Sequence, residues 1–320
     1  MKTRRLGSHG PEISLVGFGA WEAGAGEEWG AAPPDERAIE AIRAAIDAGM
    51  TWIDTAEVYG DGHSEEVVGR AIEGRRDEVL LFSKVAPAPD GSGFRPTEID
   101  AACRGSLERL GTERLDLFQL HWEDETGVPL QETWGAMASL VDEGLVRWIG
   151  VSNFDRSLIE RCEAVRHVDS LQQEFSLLAP DDRELIRWCG QRGTGVLSYA
   201  PMAYGMLTGA IGPDTTFDDT DFRSGKVEDG ETHARLFAEG AVRARSLAVV
   251  DGMRPIAERL GCTVAQIALA WNHHQPGVTA AIAGSRDPDH TRQNAGAGDV
   301  LLDDATLVAL EALIASADRA

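Results

Sequence analysis

The sequence predicts an α/β fold, a single (β/α)8 TIM barrel that spans residues 1–320 as one domain, with an N-terminal β-hairpin and extra C-terminal helices. Eight short apolar runs alternate with stretches of 3.6-residue hydrophobic periodicity, which is the pattern of parallel strands joined by helices. No linker divides the chain, and barrels of this kind often fill about 250 residues or more as one domain.

The elements follow in chain order. Residues 1–11 are predicted to form a hairpin that closes the bottom of the barrel. The barrel strands are predicted at residues 14–19, 51–55, 79–85, 115–121, 146–152, 170–174, 195–199 and 278–283. Helices are predicted at residues 35–48, 97–110, 129–142, 155–167, 181–190, 235–260, 263–274, 287–295 and 302–316.

Two local signals refine this pattern. The helix at 97–110 is expected to begin with Thr97 as its N-cap and to end at Gly111. Residues 203–230 are rich in Gly and Asp and have weak periodicity, so they are predicted to form a long loop that is either functional or mobile and that folds over the cofactor. Its Asp-rich middle, residues 214–221, is expected to face solvent.

Composition limits the classes of function. The formal net charge of −23 argues against a nucleic-acid partner, which would select a basic surface. No run approaches the roughly 18 apolar residues of a membrane span, and the basic start lacks the apolar segment of a secretory signal. The four cysteines are scattered without a metal-binding spacing, so we expect reduced thiols in a cytoplasmic protein that holds no metal.

Four chemically distinct side chains lie near the ends of three successive predicted strands. Asp54, Lys84 and His121 lie at the C-terminal ends of strands two, three and four, and Tyr59 follows Asp54 in the next loop. Active sites of α/β barrels are built at this end. An ammonium favours the phenolate form of a neighbouring tyrosine, a carboxylate can hold that ammonium, and a neutral imidazole can orient a carbonyl oxygen. The set predicts a general-acid site for reduction of, or addition to, a carbonyl.

Each of these residues also has a plain structural interpretation. Asp54 could be a helix cap or turn former, Tyr59 a packing residue, Lys84 a solvated strand end and His121 a core histidine. Their joint occurrence in consecutive βα units favours the catalytic interpretation.

Known motifs coincide with these residues. The chain resembles the aldo-keto reductases over nearly its full length, through residues 53–60 (IDTAEVYG), 63–69 (HSEEVVG), 83–85 (SKV) and 119–122 (QLHW). The resemblance implies an NAD(P)H-dependent oxidoreductase that reduces aldehydes and ketones to alcohols. It implies that Tyr59 is the proton donor, that Lys84 and Asp54 tune it, and that His121 orients the substrate carbonyl.

The same resemblance implies NADPH as cofactor, with NADH possible. The chain lacks a Rossmann fingerprint, because the Gly17–Phe18–Gly19 stretch has no third glycine and no helix opens there. By resemblance, Ser152, Asn153 and Gln172 bind the nicotinamide carboxamide and Tyr199 stacks on its ring. Tyr199 could equally be an aromatic residue of the barrel rim.

The phosphate end of the cofactor is expected after strand eight, where residues 284–288 open a helix. The planar fork of Arg286 can pair with a 2′-phosphate, although an arginine here could also be a solvated cap residue. Ala283, His290 and Gln293 depart from the residues common in the family, which leaves the adenine contacts open. The full predicted cofactor set is Gly19, Ala20, Trp21, Asp54, Ser152, Asn153, Gln172, Tyr199, Pro201, Met202, Gly205, Leu207, Gly284, Ser285, Arg286, His290, Gln293 and Asn294.

The substrate pocket is expected to be aromatic. Trp21 and Trp122 are predicted to line it together with Tyr59 and His121, while Trp29 either joins them or packs within its own loop, the latter being favoured. Such walls suit small aldehydes, ketones or quinone-like carbonyls.

Two other functions remain open from the sequence. The first is a catalytically weak, nicotinamide-binding regulatory subunit of the same fold, such as the potassium-channel beta subunits. The second is a lyase or isomerase that uses Lys84 as a Schiff-base amine, against which the predicted carboxamide and stacking residues argue. The pattern predicts neither the physiological substrate nor the oligomeric state.

Overall fold

The barrel is confirmed by the computed structural model, which describes residues 1–24, 29, 34–88, 90–226, 234–238 and 240–317. The eight parallel barrel strands are β3 (Val16–Gly19), β4 (Trp52–Asp54), β5 (Leu80–Val85), β6 (Leu115–Leu120), β7 (Val146–Ser152), β8 (Ser170–Glu174), β9 (Gly195–Tyr199) and β10 (Ala280–Gly284). They close on themselves in the order β10-β3-β4-β5-β6-β7-β8-β9.

The predicted hairpin is present but extends further than expected. β1 (Thr3–Arg5) pairs antiparallel with β2 (Glu12–Ser14), so the hairpin includes residues beyond 11 and takes up the start of the predicted first barrel strand. Leu6 and Ile13 are fully buried in a cluster with inward-facing residues of the barrel strands. The hairpin thus helps to fill the barrel interior from below.

The floor of the site is a packed layer inside the barrel. Trp52 and Phe82 are both fully buried with their rings 5.2 Å apart. A Cβ atom on Gly17 would lie 2.1 Å from the Trp52 ring, so only glycine fits there on β3. This close packing leaves the C-terminal mouth as the place where a ligand can enter.

Helices surround the strands, and the larger core lies between the two layers. They are α1 (Trp21–Gly24), α2 (Asp35–Asp47), α3 (His63–Ala71), α4 (Pro96–Leu110), α5 (Leu130–Asp142), α6 (Arg156–Glu163), α7 (Arg183–Gln191), α8 (Ala241–Leu260), α9 (Val264–His274), α10 (Pro288–Gly296) and α11 (Asp304–Ala317). Short 3-10 helices include Ala203–Thr208 and Phe222–Ser224 in the long loop after β9.

Three local predictions were wrong. The N-cap of α4 is Arg95, with Pro96 as the first helical residue and Thr97 inside the first turn. Helix α8 begins at Ala241, because Arg235–Phe237 forms a separate 3-10 turn. Within residues 214–221, Asp221 is buried and caps the turn that follows, whereas Asp214 and Asp218 are exposed as expected.

Candidate active site

The four predicted site residues meet at the C-terminal mouth of the barrel. Asp54 ends β4, Lys84 lies near the end of β5, and His121 directly follows β6. Tyr59 lies in the turn between β4 and α3. Parallel pairing of β4, β5 and β6 places these strand ends side by side.

Lys84 is the centre of the hydrogen-bond network. Its Nζ donates to Asp54 Oδ1 at 2.6 Å, to the Thr55 carbonyl at 2.9 Å and to the Tyr59 hydroxyl at 3.1 Å. The lysine side chain is fully buried, so its three donors are committed to these three acceptors. The opposite oxygen of the carboxylate, Asp54 Oδ2, accepts from Gln172 Nε2 at 2.8 Å.

Two protonation states follow from this arrangement. Burial disfavours the ammonium of Lys84, but the negative charge of Asp54 and the oxygen of Tyr59 outweigh it and raise the pKa of this lysine. Burial, with a contribution from the Lys84 charge, holds the pKa of His121 well below its usual value. At neutral pH the site therefore contains a charged lysine and a neutral imidazole.

The imidazole of His121 lies close to the phenol of Tyr59. Its ring centroid is 5.7 Å from that of Tyr59, with the two rings edge to face. Its Nδ1 is buried and has no hydrogen-bond partner among the described residues. Trp122 packs on His121 at 4.6 Å and is 40 % exposed, so it forms the outer edge of the mouth.

These residues border a cavity of about 1230 Å³. That volume exceeds the upper range of about 1,000 Å³ typical of pockets for one small ligand, so it has room for a dinucleotide and a substrate together. Of the predicted cofactor residues, all line the cavity except Ala20 and Leu207. Both of these side chains are completely buried.

The residues predicted for the nicotinamide end are already linked to one another. Asn153 has a left-handed backbone, with φ of 60°, and its side-chain Nδ2 donates to the His121 carbonyl at 3.1 Å. The Tyr199 hydroxyl donates to Asn153 Oδ1 at 2.9 Å. The side-chain amide of Asn153 thus links the Tyr199 hydroxyl to the backbone of His121 at the end of β6.

The expected phosphate end has both cations and carboxylates. Arg286 donates from Nη2 to the Trp29 carbonyl at 2.9 Å, while its Nη1 is buried and unpaired within the described chain. The first turn of α10 is capped by its own Asp287, whose Oδ1 accepts from Asp289 N and His290 N. Arg37 of α2 pairs with Asp287. A phosphate at this end would depend on Arg286 more than on the amides of this turn.

The loop after β9 has unusual backbone geometry. Ala200, Ala203 and Tyr204 have φ values of 49°, 48° and 54°, and Gly205 follows at 96°. Left-handed backbone is costly for residues with a Cβ atom and concentrates at functional sites. Successive residues of this kind can turn main-chain N–H groups toward an anion.

Sequence reasoning missed several residues of the cavity wall. Trp29 lines the cavity, which was the less favoured of its two predicted positions. Phe222 stacks on Trp21 at 5.9 Å and meets Trp29 edge to face at 4.9 Å, so it packs against two residues of the wall without lining the cavity itself. Arg223 lies over the Trp29 ring at 5.0 Å. Other wall residues that were not predicted include Glu22, Arg37, Val58 and Tyr204. Glu22 directly follows Trp21, and this adjacency was the available signal.

The described residues contain neither a metal-binding cluster nor a membrane-spanning helix. Among them, no cluster of three or more His, Cys, Asp or Glu side chains could hold a metal ion. No helix within the described ranges has the length and apolarity needed to cross a membrane.

The fold and the site together define an α/β-barrel enzyme with a buried lysine–carboxylate pair and a phenol beside a large cavity. The family model described as the aldo/keto reductase family matches residues 15–315. The chain belongs to this family, which confirms the resemblance and the assignment as an oxidoreductase.

Individual relatives agree with this assignment. The chain is 35% identical over 296 residues to aldo-keto reductase YhdN of Bacillus subtilis (strain 168), covering 90% of this chain and 86% of that protein. Among solved structures, it is similar to glycerol dehydrogenase AKR11B4 from Gluconobacter oxydans, with a TM-score of 0.84, 30% identity and coverage of 98% and 95%. It is also similar to an aldo/keto reductase from Klebsiella pneumoniae in complex with NADP and acetate, with a TM-score of 0.74, 34% identity and coverage of 98% and 96%.

Proposed function

We propose that this protein is an NADPH-dependent reductase of small aldehydes or ketones. The observation that carries the proposal is the position of the Lys84 ammonium, which contacts both the Asp54 carboxylate and the Tyr59 hydroxyl at the edge of the cavity. Hydride for the carbonyl carbon comes from the nicotinamide when the cofactor is bound. Tyr59 donates its proton to the carbonyl oxygen, and Lys84 stabilises the phenolate that remains.

His121 has the supporting role in this scheme. A neutral imidazole can donate one hydrogen bond to the carbonyl oxygen without competing with Tyr59 for the proton transfer. Its edge-to-face contact with the phenol places both groups on the same side of the cavity. Trp21, stacked on Tyr59 at 6.0 Å, and Trp122 supply apolar walls for the substrate.

The donor set fits a nicotinamide dinucleotide. Gln172 commits its NH2 group to Asp54, so its amide oxygen is the group that can accept from the carboxamide. Ser152 and Asn153 line the same part of the cavity, and the Tyr199 ring is held there for stacking. The buried Nη1 of Arg286, which has no partner among the residues that the structure describes, is a donor that a 2′-phosphate would satisfy.

The direct test is a panel of aldehydes, ketones and quinones, assayed with NADPH and with NADH by loss of nicotinamide absorbance. We expect reduction of small aldehydes with a preference for NADPH. Cofactor binding without reduction of any member of the panel would contradict the proposal and favour the regulatory alternative.

The pH dependence of turnover tests the state of His121. Because burial holds its pKa well below about 6.5, the imidazole stays neutral as the pH falls from about 8 to about 6. We therefore expect kcat at saturating NADPH to show no acid inflection near the usual histidine pKa. Such an inflection in the wild type that disappears in His121→Gln would mean that His121 titrates normally.

Replacement of Arg286 tests the cofactor preference. Arg286→Met should weaken NADPH binding about 10- to 100-fold, the range expected for a lost charged hydrogen bond, and should change NADH binding little. The matched control is Arg292→Met, which removes an exposed guanidinium from α10, the helix that follows Arg286. An equal loss of affinity for NADPH and for NADH would show that Arg286 contacts a part of the cofactor other than the 2′-phosphate. The measurement is fluorescence titration of each variant with each cofactor.

We also propose that residues 1–320 form one domain, since β10 near the end of the chain pairs with β3 near its start. A cytoplasmic location stays a prediction from the composition.

A further inference from the structure

Glu22 is a carboxylate inside the cavity that no part of the proposed reaction uses. It lies in α1, one residue after Trp21, and lines the same cavity. A Cβ atom built on Gly284 would be 3.0 Å from Glu22 Oε1, so this side chain lies against the end of β10. Gly284 and Arg286 belong to the segment proposed for the cofactor phosphates.

Basic side chains line the cavity together with this carboxylate. Arg286 and His290 come from the segment after β10 and Arg223 from the loop after β9. Each of them acts to lower the pKa of Glu22. Asp221, which is bound to Arg223 at 2.6 Å, opposes this effect. Glu22 therefore shares with the expected phosphates the positive groups that line this part of the cavity.

We propose that Glu22 is an affinity- and specificity-determining residue that competes with the cofactor phosphates for Arg286 and Arg223. The inference rests on the proposed binding of NADPH. With Glu22 ionised, the two guanidinium groups are partly neutralised before the cofactor arrives, and each phosphate enters beside a like charge. The carboxylate thus weakens the binding of NADPH more than the binding of NADH, because NADPH carries the additional 2′-phosphate.

The competition depends on pH. Burial is the largest influence on Glu22 and raises its pKa, against the opposing effects of Arg286, Arg223 and His290. Below that raised pKa the side chain is neutral and the guanidinium groups are available to the phosphates. As the pH rises through the pKa, the carboxylate becomes charged and cofactor affinity falls. A bound phosphate raises the pKa further, so NADPH binding takes up protons.

The test compares the wild type with Glu22→Gln, which keeps the size of the side chain and removes its charge. At about pH 8 the variant should bind NADPH about tenfold more tightly, the order expected of one screened like-charge pair. This gain in NADPH affinity over the wild type should shrink as the pH is lowered, and the corresponding gain for NADH should be smaller. Calorimetry in buffers of different ionisation enthalpy should find that the variant takes up fewer protons on binding NADPH. Any protons taken up by the 2′-phosphate itself contribute equally in both proteins, so the difference reports on Glu22.

A matched control removes the same charge at the opposite end of the barrel. Glu12→Gln in β2 changes the net charge equally, and we expect it to leave NADPH affinity unchanged. Equal tightening in both variants would mean a long-range charge effect and would overturn the role of Glu22. Should Glu22→Gln fail to fold, Glu22→Ala carries the same expectation.

The remaining outcomes separate the two proposals. If the wild type binds no nicotinamide cofactor, the proposed function fails and this inference fails with it. If the wild type binds NADPH but Glu22→Gln binds it equally or more weakly, the proposed function stands and only this inference is overturned. Weaker binding in the variant would indicate that Glu22 contacts a hydroxyl group of the cofactor.

Discussion

Replacing Tyr59 by Phe is expected to lower carbonyl reduction by about 10²–10⁴-fold, the usual contribution of a positioned general acid. The change removes one hydroxyl group and keeps the ring that stacks on Trp21 and contacts His121. Binding of NADPH should stay close to that of the wild type, because the proposed cofactor contacts do not require the phenol. Single-turnover rates and fluorescence titration measure the two effects separately.

The control for this change is Tyr204→Phe. Tyr204 also lines the cavity, and its hydroxyl donates to Glu174 at 3.4 Å, away from Lys84. We expect Tyr204→Phe to retain most of the turnover. Wild-type rates in Tyr59→Phe would exclude Tyr59 as the proton donor and would end the proposed mechanism.

Replacing Lys84 by Met should affect both stability and turnover. Removal of the ammonium leaves the buried carboxylate of Asp54 with Gln172 as its remaining side-chain donor among the described residues. Breaking a buried pair in this way typically costs about 3–5 kcal/mol in the free energy of unfolding. Turnover should fall by at least about 10²-fold, because the phenolate would no longer be stabilised.

A double variant separates the two effects. In Lys84→Met/Asp54→Asn the uncompensated charge is removed, so most of the lost stability should return while turnover stays low. Chemical denaturation measures the stability, and the carbonyl assay measures turnover. Recovery of turnover along with stability would mean that Lys84 serves the fold alone.

Much of the barrel could be predicted from the sequence, because its strands are buried and punctuated by helices. The observed strands from β4 to β10 agree with the predicted ranges within two residues at each end. The main error lies at the first strand, where β2 and β3 are separated by a single residue, Leu15. No turn signal separates the two strands in the sequence, so the change from one sheet to the other was not visible there.

Helix α3 was not predicted because its start lacks the usual sequence signal. It is short, and its N-cap is Gly62 in a left-handed conformation without a side-chain cap, so the usual start signal is missing. The buried carboxylate Glu65 within it pairs with Arg109 of α4. A charged residue on the inner face weakens the amphipathic pattern by which a helix is recognised.

The positions of the proposed catalytic residues were easier to predict than the full set of residues that line the cavity. The chemical residues lie at strand ends, whose positions follow directly from the barrel topology. Glu22, Arg37 and Arg223 come from α1, from α2 and from the loop after β9, and they meet only through the tertiary fold. The periodicity of the strands does not indicate which residues of distant elements come together in the fold.

The stacking of Phe222 on Trp21 has a consequence for engineering. The proposed catalytic residues lie at or just after the ends of β4, β5 and β6, whereas Phe222 belongs to the loop after β9 and reaches the cavity only through Trp21 and Trp29. Libraries that randomise Phe222 would therefore reshape the aromatic wall indirectly, by moving these two tryptophans, and would leave the residues at the strand ends unchanged.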